Sequence, residues 1–578
     1  MKYVIIENHL GTKKAVFRKG GRLIKRIHGN TTGLKANQVR RLQHIYRRKI
    51  PAQQIVTQEL ARYLCELSTE IARQVGVLID RKGAIAYVIV GDAKSLFLPD
   101  LGRFRAATNR LRGLRYIHTH LRGEPLSADD MADLAHLRFD IMVAIGVGAD
   151  GLPDGSHVAS LLPDNPEGRQ WDIQENLPIG QLDQDFMRFI QSLEEEFERT
   201  QRAYAVGGNR DRAILMSVTS GNKAAAEESL DELAELAESG GVVPADRVIQ
   251  QRHRIDPNYL IGRGKLDEVI VRGLQVGADL LIFDQGLTPS QSRAIAERTE
   301  LKVIDRTMLI LDIFAQRAHS REGKLQVELA QLKYLMPYLA NKGTALSRLA
   351  GGIGGRGPGE TKLESDRRRV QDRIHQLEKQ LRGVAQGRHL RRQQRQRRQL
   401  PVISIVGYTN AGKSTLLNTL TNSQVLAQDR LFATLDPSSR RLRFPRDLEV
   451  LITDTVGFIR DLPPDLLAAF QATLDELHDA DLLLHVVDVS SPYLDDHIKA
   501  VETILGDLNL DGIPRLMVFN KMDLVSPDAA VEVARLYDGV ALSAHDRQTL
   551  QPLIDRLQDV LIEHDLGRVE DAPVMVGE

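Results

Sequence analysis

The chain of 578 residues holds one cysteine, Cys65, and one tryptophan. A single thiol cannot close an internal disulfide, which excludes a disulfide-stapled secreted scaffold and suits a reducing compartment. Long apolar runs are missing too. The opening run Tyr3, Val4, Ile5 and Ile6 is broken at once by Glu7, unlike a signal peptide, and the run from Leu482 to Val487 lies between Asp481 and Asp488. These absences predict a cytoplasmic protein without a membrane span. Net charge is also lacking, with 77 basic residues against 77 acidic ones. Yet the charge is unevenly spread: residues 13–48 and 367–398 are basic, while 194–198 and 227–238 are acidic. A solvated helix face explains either kind of run taken alone, and the basic ones also suit nucleic acid. What is present is ordinary globular composition, 42% hydrophobic and 27% charged. The length exceeds a single core, so several domains are expected.

The most informative stretch is Gly407, Tyr408, Thr409, Asn410, Ala411, Gly412, Lys413, Ser414 and Thr415. It follows the apolar run from Val402 to Val406 and precedes Leu416, Leu417 and Leu420 at helical spacing. Strand, glycine-rich turn and helix start are the context of a phosphate-binding P-loop. Glycines let backbone N–H groups curl around phosphates, and the helix N-terminus adds positive potential. Lys413 is placed to reach the β/γ-phosphates, and Ser414 to ligate Mg²⁺. Downstream, a short apolar strand ends in Asp454, Thr455, Val456 and Gly457. Asp454 can hold Mg²⁺ through water, and the Gly457 N–H can approach a γ-phosphate. A second apolar run ends in Asn520, Lys521, Met522 and Asp523. The Asp523 carboxylate can accept from guanine N1 and N2; adenine lacks that donor pair and would leave it unpaired. Ser543 and Ala544 fit the loop that closes over the base. The four elements in this order make a site for GTP and GDP.

Two residues bear on turnover. Phe458 stands where small regulatory GTPases carry the glutamine that orients water, so intrinsic hydrolysis should be slow and partner-stimulated. Asn410 has two readings: a ligand for a monovalent cation such as K⁺ beside the phosphates, or a tight-turn residue. Thr434, following Phe432 and Ala433, is the candidate switch threonine that completes the Mg²⁺ shell. Lys413, Asn410, Thr434 and Gly457 are the catalytic candidates.

Upstream, the expected order is a basic module (1–52), an α/β extension (53–177), a linker helix (178–205), a small parallel α/β domain (206–321), a helical hairpin (322–399), the P-loop domain (400–567) and a tail (568–578). The fold class is therefore multidomain α/β. In the extension, His118 and His120 end a strand and share one face, as a metal site needs. Ser127 and Asp130 follow at the next helix start, with Asp130 a third ligand candidate. This HxH, spacer, SxxD order resembles the JAB/MPN metalloprotein fold, including RadC-like proteins. The spacer is one residue short, and Arg73 and Gln74 stand where that family has a glutamate. Without that carboxylate, zinc-assisted hydrolysis lacks its base. A scaffold version of the fold is the expectation, with Zn²⁺ at His118, His120 and Asp130 the alternative.

In the hairpin, Leu325, Leu329, Leu332, Met336 and Leu339 form one stripe, and Leu363, Val370, Ile374, Leu377 and Leu381 a second. Both should pack the hairpin, drawn as antiparallel. The glycine-rich loop between them carries Arg356, and Arg367, Arg368 and Arg369 follow it. These four arginines are the candidate RNA contacts; a plain flexible connector is the alternative for the loop.

Three upstream motifs are not general GTPase features: Ile261 to Leu266, Asp305 to Phe314, and Gly354 to Thr361. With the Gly407 loop and Phe458 they resemble the HflX GTPases, over about residues 212–563. The resemblance implies binding to the large ribosomal subunit, and splitting or rescue of ribosomes under stress. It also implies ATP at the upstream domain, where Arg263 and Lys265 could help, although no triphosphate motif stands there. A monomer is expected. Two further functions stay open: a GTP-timed RNA-processing factor, and a nucleotide-controlled scaffold recruiting a protein.

Overall fold

A computed structural model describes residues 3–7, 13–19, 22–23, 26–99, 101, 111–182, 185–204, 210–339, 367–383, 400–421, 438–444, 449–455, 457–460 and 475–563. The chain forms two compact units: Met1–Ala226, Val243–Ile282 and Ser290–Val303 make the first, and Glu227–Val242, Phe283–Pro289 and Ile304–Glu578 the second.

The first unit begins with a three-stranded antiparallel sheet, Tyr3–Glu7, Lys13–Lys19 and Arg22–Leu23. A seven-stranded sheet follows in the order Trp171–Leu177, Pro153–Leu161, Ile141–Val147, Leu114–His120, Val75–Asp80, Ile85–Val90, Ile27–Gly29. Leu114–His120 and Ile141–Val147 run parallel and are buried at every position. Burial on both faces is why Ile141–Val147 reads as a continuous apolar run and not as an alternating one, whereas Leu114–His120 buries Arg115, His118, Thr119 and His120. Ile27–Gly29 pairs with Ile85–Val90, so part of the basic N-terminal stretch completes this sheet. Gly29 has φ +84°, and a Cβ there would meet the Val90 carbonyl oxygen at 2.0 Å.

Helix Gln58–Ile71 covers the sheet with Leu60, Leu64, Leu67 and Ile71. Thr57 caps its start by accepting from the Leu60 N–H. It stops at Ile71 because Ala72 turns left-handed, φ +53°. Helix Phe186–Tyr204 is tied down through Arg81, which bonds Asp140 at 2.6 Å and Glu194 at 2.8 Å.

A four-stranded sheet has the order Val243–Gln251, Arg212–Thr219, Leu280–Phe283, Lys302–Asp305, its first two strands parallel. Helix Arg263–Val276 starts three residues before Leu266, with Gly262 as its N-cap. In the second unit, Asp305 caps helix Arg306–Arg317 by accepting from the Met308 N–H at 2.9 Å. The leucine stripes meet as the sequence predicts: Leu329 of helix Arg321–Leu339 buries against Ile374 and Leu377 of helical residues 367–383. Glu328 with Arg373, and Lys333 with Glu378, flank that seam.

The C-terminal sheet of the second unit runs Ser438–Arg443, Glu449–Asp454, Val402–Gly407, Leu482–Asp488, Arg515–Asn520, Val540–Ala541. Only the Ser438–Arg443 pairing is antiparallel among its strand pairs. Crevices at the carboxyl ends of parallel strands are where such sheets bind ligands. Among the described residues, no helix is long and apolar enough to cross a membrane.

Candidate functional site

Strand Val402–Gly407 is the middle of the C-terminal sheet, and its end delivers the P-loop into helix Lys413–Thr421. The turn needs backbone that most residues avoid. Gly407 has φ +150°, Asn410 +61° and Gly412 +91°. Asn410 is exposed in this left-handed position, which asparagine adopts readily. At Gly412 a Cβ would fall 2.1 Å from Asn520 Nδ2. That closeness reflects a clamp. The Asn520 amide donates to the Ala411 carbonyl at 2.8 Å, and its oxygen accepts from the Ala544 N–H at 2.8 Å. One side chain thus joins the phosphate loop to the base loop, across 109 residues on one side and 24 on the other.

Asp523 is exposed beyond it, with Ser543 donating to its carboxylate, which holds that group below the usual range. An ionised, outward carboxylate is what guanine N1 and N2 require. Lys521, at φ +65°, pairs with Asp488 at 2.7 Å and steers the turn between them. Thr419 Oγ1 donates to the Ala544 carbonyl at 2.7 Å, a second tie to the base loop.

Around the phosphates, Ser414 Oγ donates to Asp454 Oδ2 at 2.7 Å. A hydroxyl beside a carboxylate is a hard oxygen set that fits Mg²⁺. Thr455 donates to the Ile405 carbonyl at 2.6 Å. Lys413 is turned inward: its ammonium donates to the carbonyls of Gly407 at 3.0 Å and Tyr408 at 2.7 Å. Burial pulls it down to about 8, with the Asp454 charge opposing. Gly457 lies over it, close enough that a Cβ would meet Lys413 Nζ at 2.9 Å. Phe458 is 2% exposed and zippered to the loop: Thr409 N–H donates to Phe458 O at 2.8 Å, and Phe458 N–H to Gly407 O at 3.1 Å. Residues 457–460 thus pack against the loop, with Gly457 over Lys413.

Sequence reasoning missed what Tyr408 does. Its hydroxyl donates to Glu232, accepts from the Arg460 N–H at 2.9 Å, and its ring stacks on His497 with centroids 3.9 Å apart. Glu232 also pairs with Arg306, which reaches Asp284 at 3.0 Å. Arg460 pairs with Glu228 at 2.6 Å. The only sequence signal was the acidic run 227–238, which a solvated helix face explained equally well.

In the first unit, His118, His120 and Asp130 converge, as their spacing predicts. The two Nε2 atoms lie 3.0 Å apart, and the Asp130 oxygens stand 3.4 Å and 3.7 Å from them. Tetrahedral ligands about 2.1 Å from zinc sit about 3.4 Å from one another, so the donor set fits such an ion. His120 Nδ1–H donates to the Glu124 carbonyl at 2.7 Å, which aims Nε2 inward. Tyr116 stacks on His118 at 4.6 Å. Burial alone would raise Asp130, but hydrogen bonds from His118 and Ser127 outweigh it and hold the carboxyl well below its usual range. Burial, and then His118, push His120 down. Arg73 donates instead to the Asn30 and Thr32 carbonyls, and the Gln74 backbone pairs with Asp92 and Gly91. Neither provides a carboxylate here.

Phe432, Ala433, Thr434, Val456 and Arg356 lie outside the described residues. Arg367, Arg368 and Arg369 are exposed on their helix.

The parallel sheet, the P-loop and the Asp454 and Asp523 positions define a GTP hydrolase of the P-loop class. Family models match in three consecutive stretches: GTP-binding GTPase N-terminal over residues 227–315, GTP-binding GTPase middle region over 317–395, and 50S ribosome-binding GTPase over 402–521. The GTPase HflX of Caldanaerobacter subterraneus subsp. tengcongensis is 51% identical over 317 residues, 55% of this chain and 74% of that protein. That of Lacrimispora saccharolytica is 46% identical, covering 61% and 83%. That of Escherichia coli is 44% identical, covering 59% and 81%. The chain belongs to the HflX GTPase family.

Proposed function

We propose that this GTPase is a docking switch for the large ribosomal subunit, acting in the splitting or rescue of stalled ribosomes. GTP orders Thr434 and the segment from Asp454 to Phe458, that state docks, and hydrolysis releases it. Mg²⁺ would be held by Ser414 and Thr434, with Asp454 acting through water; bound there, it neutralises phosphate charge. The observation that carries the reading is the basic edge of the hairpin. Its apolar stripe is used up on Leu329, Ile374 and Leu377, while Arg367, Arg368 and Arg369 are exposed. Exposed arginines that follow a glycine-rich sequence bearing Arg356 suit ribosomal RNA phosphates. Buried Phe458 cannot order water, so docking supplies that order.

The test is GTP turnover alone, with purified large subunits, and with protein-free ribosomal RNA. Stimulation by subunits that is lost in Lys413→Ala supports the switch. Stimulation by bare RNA alone points to the RNA-processing reading, and no response to either overturns the ribosomal one.

A second reading concerns the first unit. The convergence of His118, His120 and Asp130 supports a bound transition metal, Zn²⁺ by ligand type, in a structural role, as Arg73 and Gln74 offer no carboxylate base. Metal content of the purified protein should fall in His118→Ala/His120→Ala; equal zinc in both would sink the site.

A further inference from the structure

The nucleotide site is wired to a helix far upstream in sequence, and that wiring bears on which nucleotide the site prefers. We propose that Glu232 is a positioning residue for nucleotide selectivity: through the Tyr408 hydroxyl it holds residues 457–460 over Lys413, and so sets the balance between GDP and GTP. The inference rests on the GTPase site alone and is independent of the ribosomal reading.

The geometry has three parts. Glu232 accepts from the Tyr408 hydroxyl, and that hydroxyl accepts from the Arg460 N–H at 2.9 Å. The anchor is firm, because Glu232 is itself paired with Arg306, which bonds Asp284 at 3.0 Å and Ser229 at 3.3 Å. Arg460 is held a second time by Glu228 at 2.6 Å. Between these points the Phe458 backbone is zippered to Gly407 and Thr409, which leaves Gly457 against Lys413.

GDP fills the cradle made by the loop N–H groups and needs nothing from Gly457. GTP differs, because Lys413 must turn outward to bridge the β/γ-phosphates and the third phosphate must enter between Lys413 and Gly457. Residues 457–460 have to shift off Lys413 for that, until the Gly457 N–H meets the third phosphate instead. Every bond that holds them in place is therefore a cost on GTP binding that GDP does not bear. A hydrogen-bonded carboxylate on helix Lys223–Ser239 is thus part of the nucleotide selectivity.

The experiment measures Kd for GDP and for a non-hydrolysable GTP analogue in the full-length protein, its Glu232→Gln and Tyr408→Phe variants, and the double variant. Glu232→Gln turns the charged acceptor into a weaker neutral one and should tighten the GTP analogue relative to GDP by roughly fivefold, the difference between a charge-assisted and a neutral hydrogen bond. Tyr408→Phe removes only the hydroxyl and leaves the Glu232–Arg306 pair and the His497 stack, so it remains informative if Glu232→Gln folds poorly. The double variant should shift no further than Tyr408→Phe alone, because Glu232 acts through that hydroxyl. Equal shifts for both nucleotides would reduce Glu232 to a structural role. Unchanged selectivity in Tyr408→Phe, or additive shifts in the double variant, would overturn the proposal.

Discussion

Lys413 gives the sharpest quantitative prediction, because its burial ties nucleotide binding to pH. Burial brings its pKa down to about 8, and only the Asp454 charge opposes that shift. Bound phosphates favour the ammonium strongly and return the group above its ordinary range near 10.4. GTP binding must therefore take up a proton in the fraction of molecules where Lys413 is neutral. With a pKa of about 8, that fraction is about 0.1 at pH 7.0, about 0.5 at pH 8.0 and about 0.75 at pH 8.5. The phosphate contributes little there, since its last proton leaves near pH 6. Asp523 is held ionised and His485, brought to about 3 by burial and by Arg515 and Lys413, stays neutral, so neither competes.

The assay is titration calorimetry at each pH in two buffers of different ionisation enthalpy, whose difference in apparent heat counts protons. The apparent Kd for GTP should also weaken above pH 8, approaching tenfold per unit. The sign for stability follows the same pKa values. Between about 8 and the unfolded value the unfolded chain binds more protons, so the nucleotide-free protein gains stability as pH rises. Below about 8 the full cost of burying the ammonium is present. A proton count that stays near zero from pH 7.0 to 8.5 would refute the reasoning and mean that Lys413 is charged before nucleotide arrives.

Three further outcomes follow from single positions. Gly412→Ala puts a Cβ 2.1 Å from Asn520 Nδ2 at φ +91°; it should break the clamp, destabilise by about 1–3 kcal/mol in urea unfolding, and weaken GDP and GTP alike. Asp523→Asn replaces the acceptor pair of the exposed carboxylate with an amide that can donate, so nucleotide competition should show lost guanine preference and a gain for xanthine nucleotides. Leu377→Ala empties a fully buried position in a small cluster; it should cost about 2–4 kcal/mol and raise amide exchange in the hairpin, while GTP affinity measured by fluorescence stays within twofold.

The nucleotide site was largely legible because its chemistry is local. Gly407, Gly412, Lys413 and Ser414 need each other at fixed spacing, and the strands before Asp454 and Asn520 announce themselves as apolar runs. The histidine pair was legible for the same reason, since two residues apart on one strand share a face, and Asp130 is delivered by the Ser127 cap at the adjoining helix start. What stayed hidden depends on partners that no spacing encodes. The Tyr408–Glu232 bond spans 176 residues, and the Asn520 clamp joins two loops only because parallel strands bring their carboxyl ends together. Strand Ile27–Gly29 is equally silent: three residues with a glycine carry no period, and pairing with Ile85–Val90 alone makes them a strand. Motif reading therefore locates the chemistry of a switch but not its restraint. The residues that hold residues 457–460 over Lys413 lie on another helix, in an acidic run that by composition is only a solvated face. A bond between a loop tyrosine and a distant carboxylate becomes a functional argument once both its ends, and the close approach of Gly457 to Lys413, are placed in one structure.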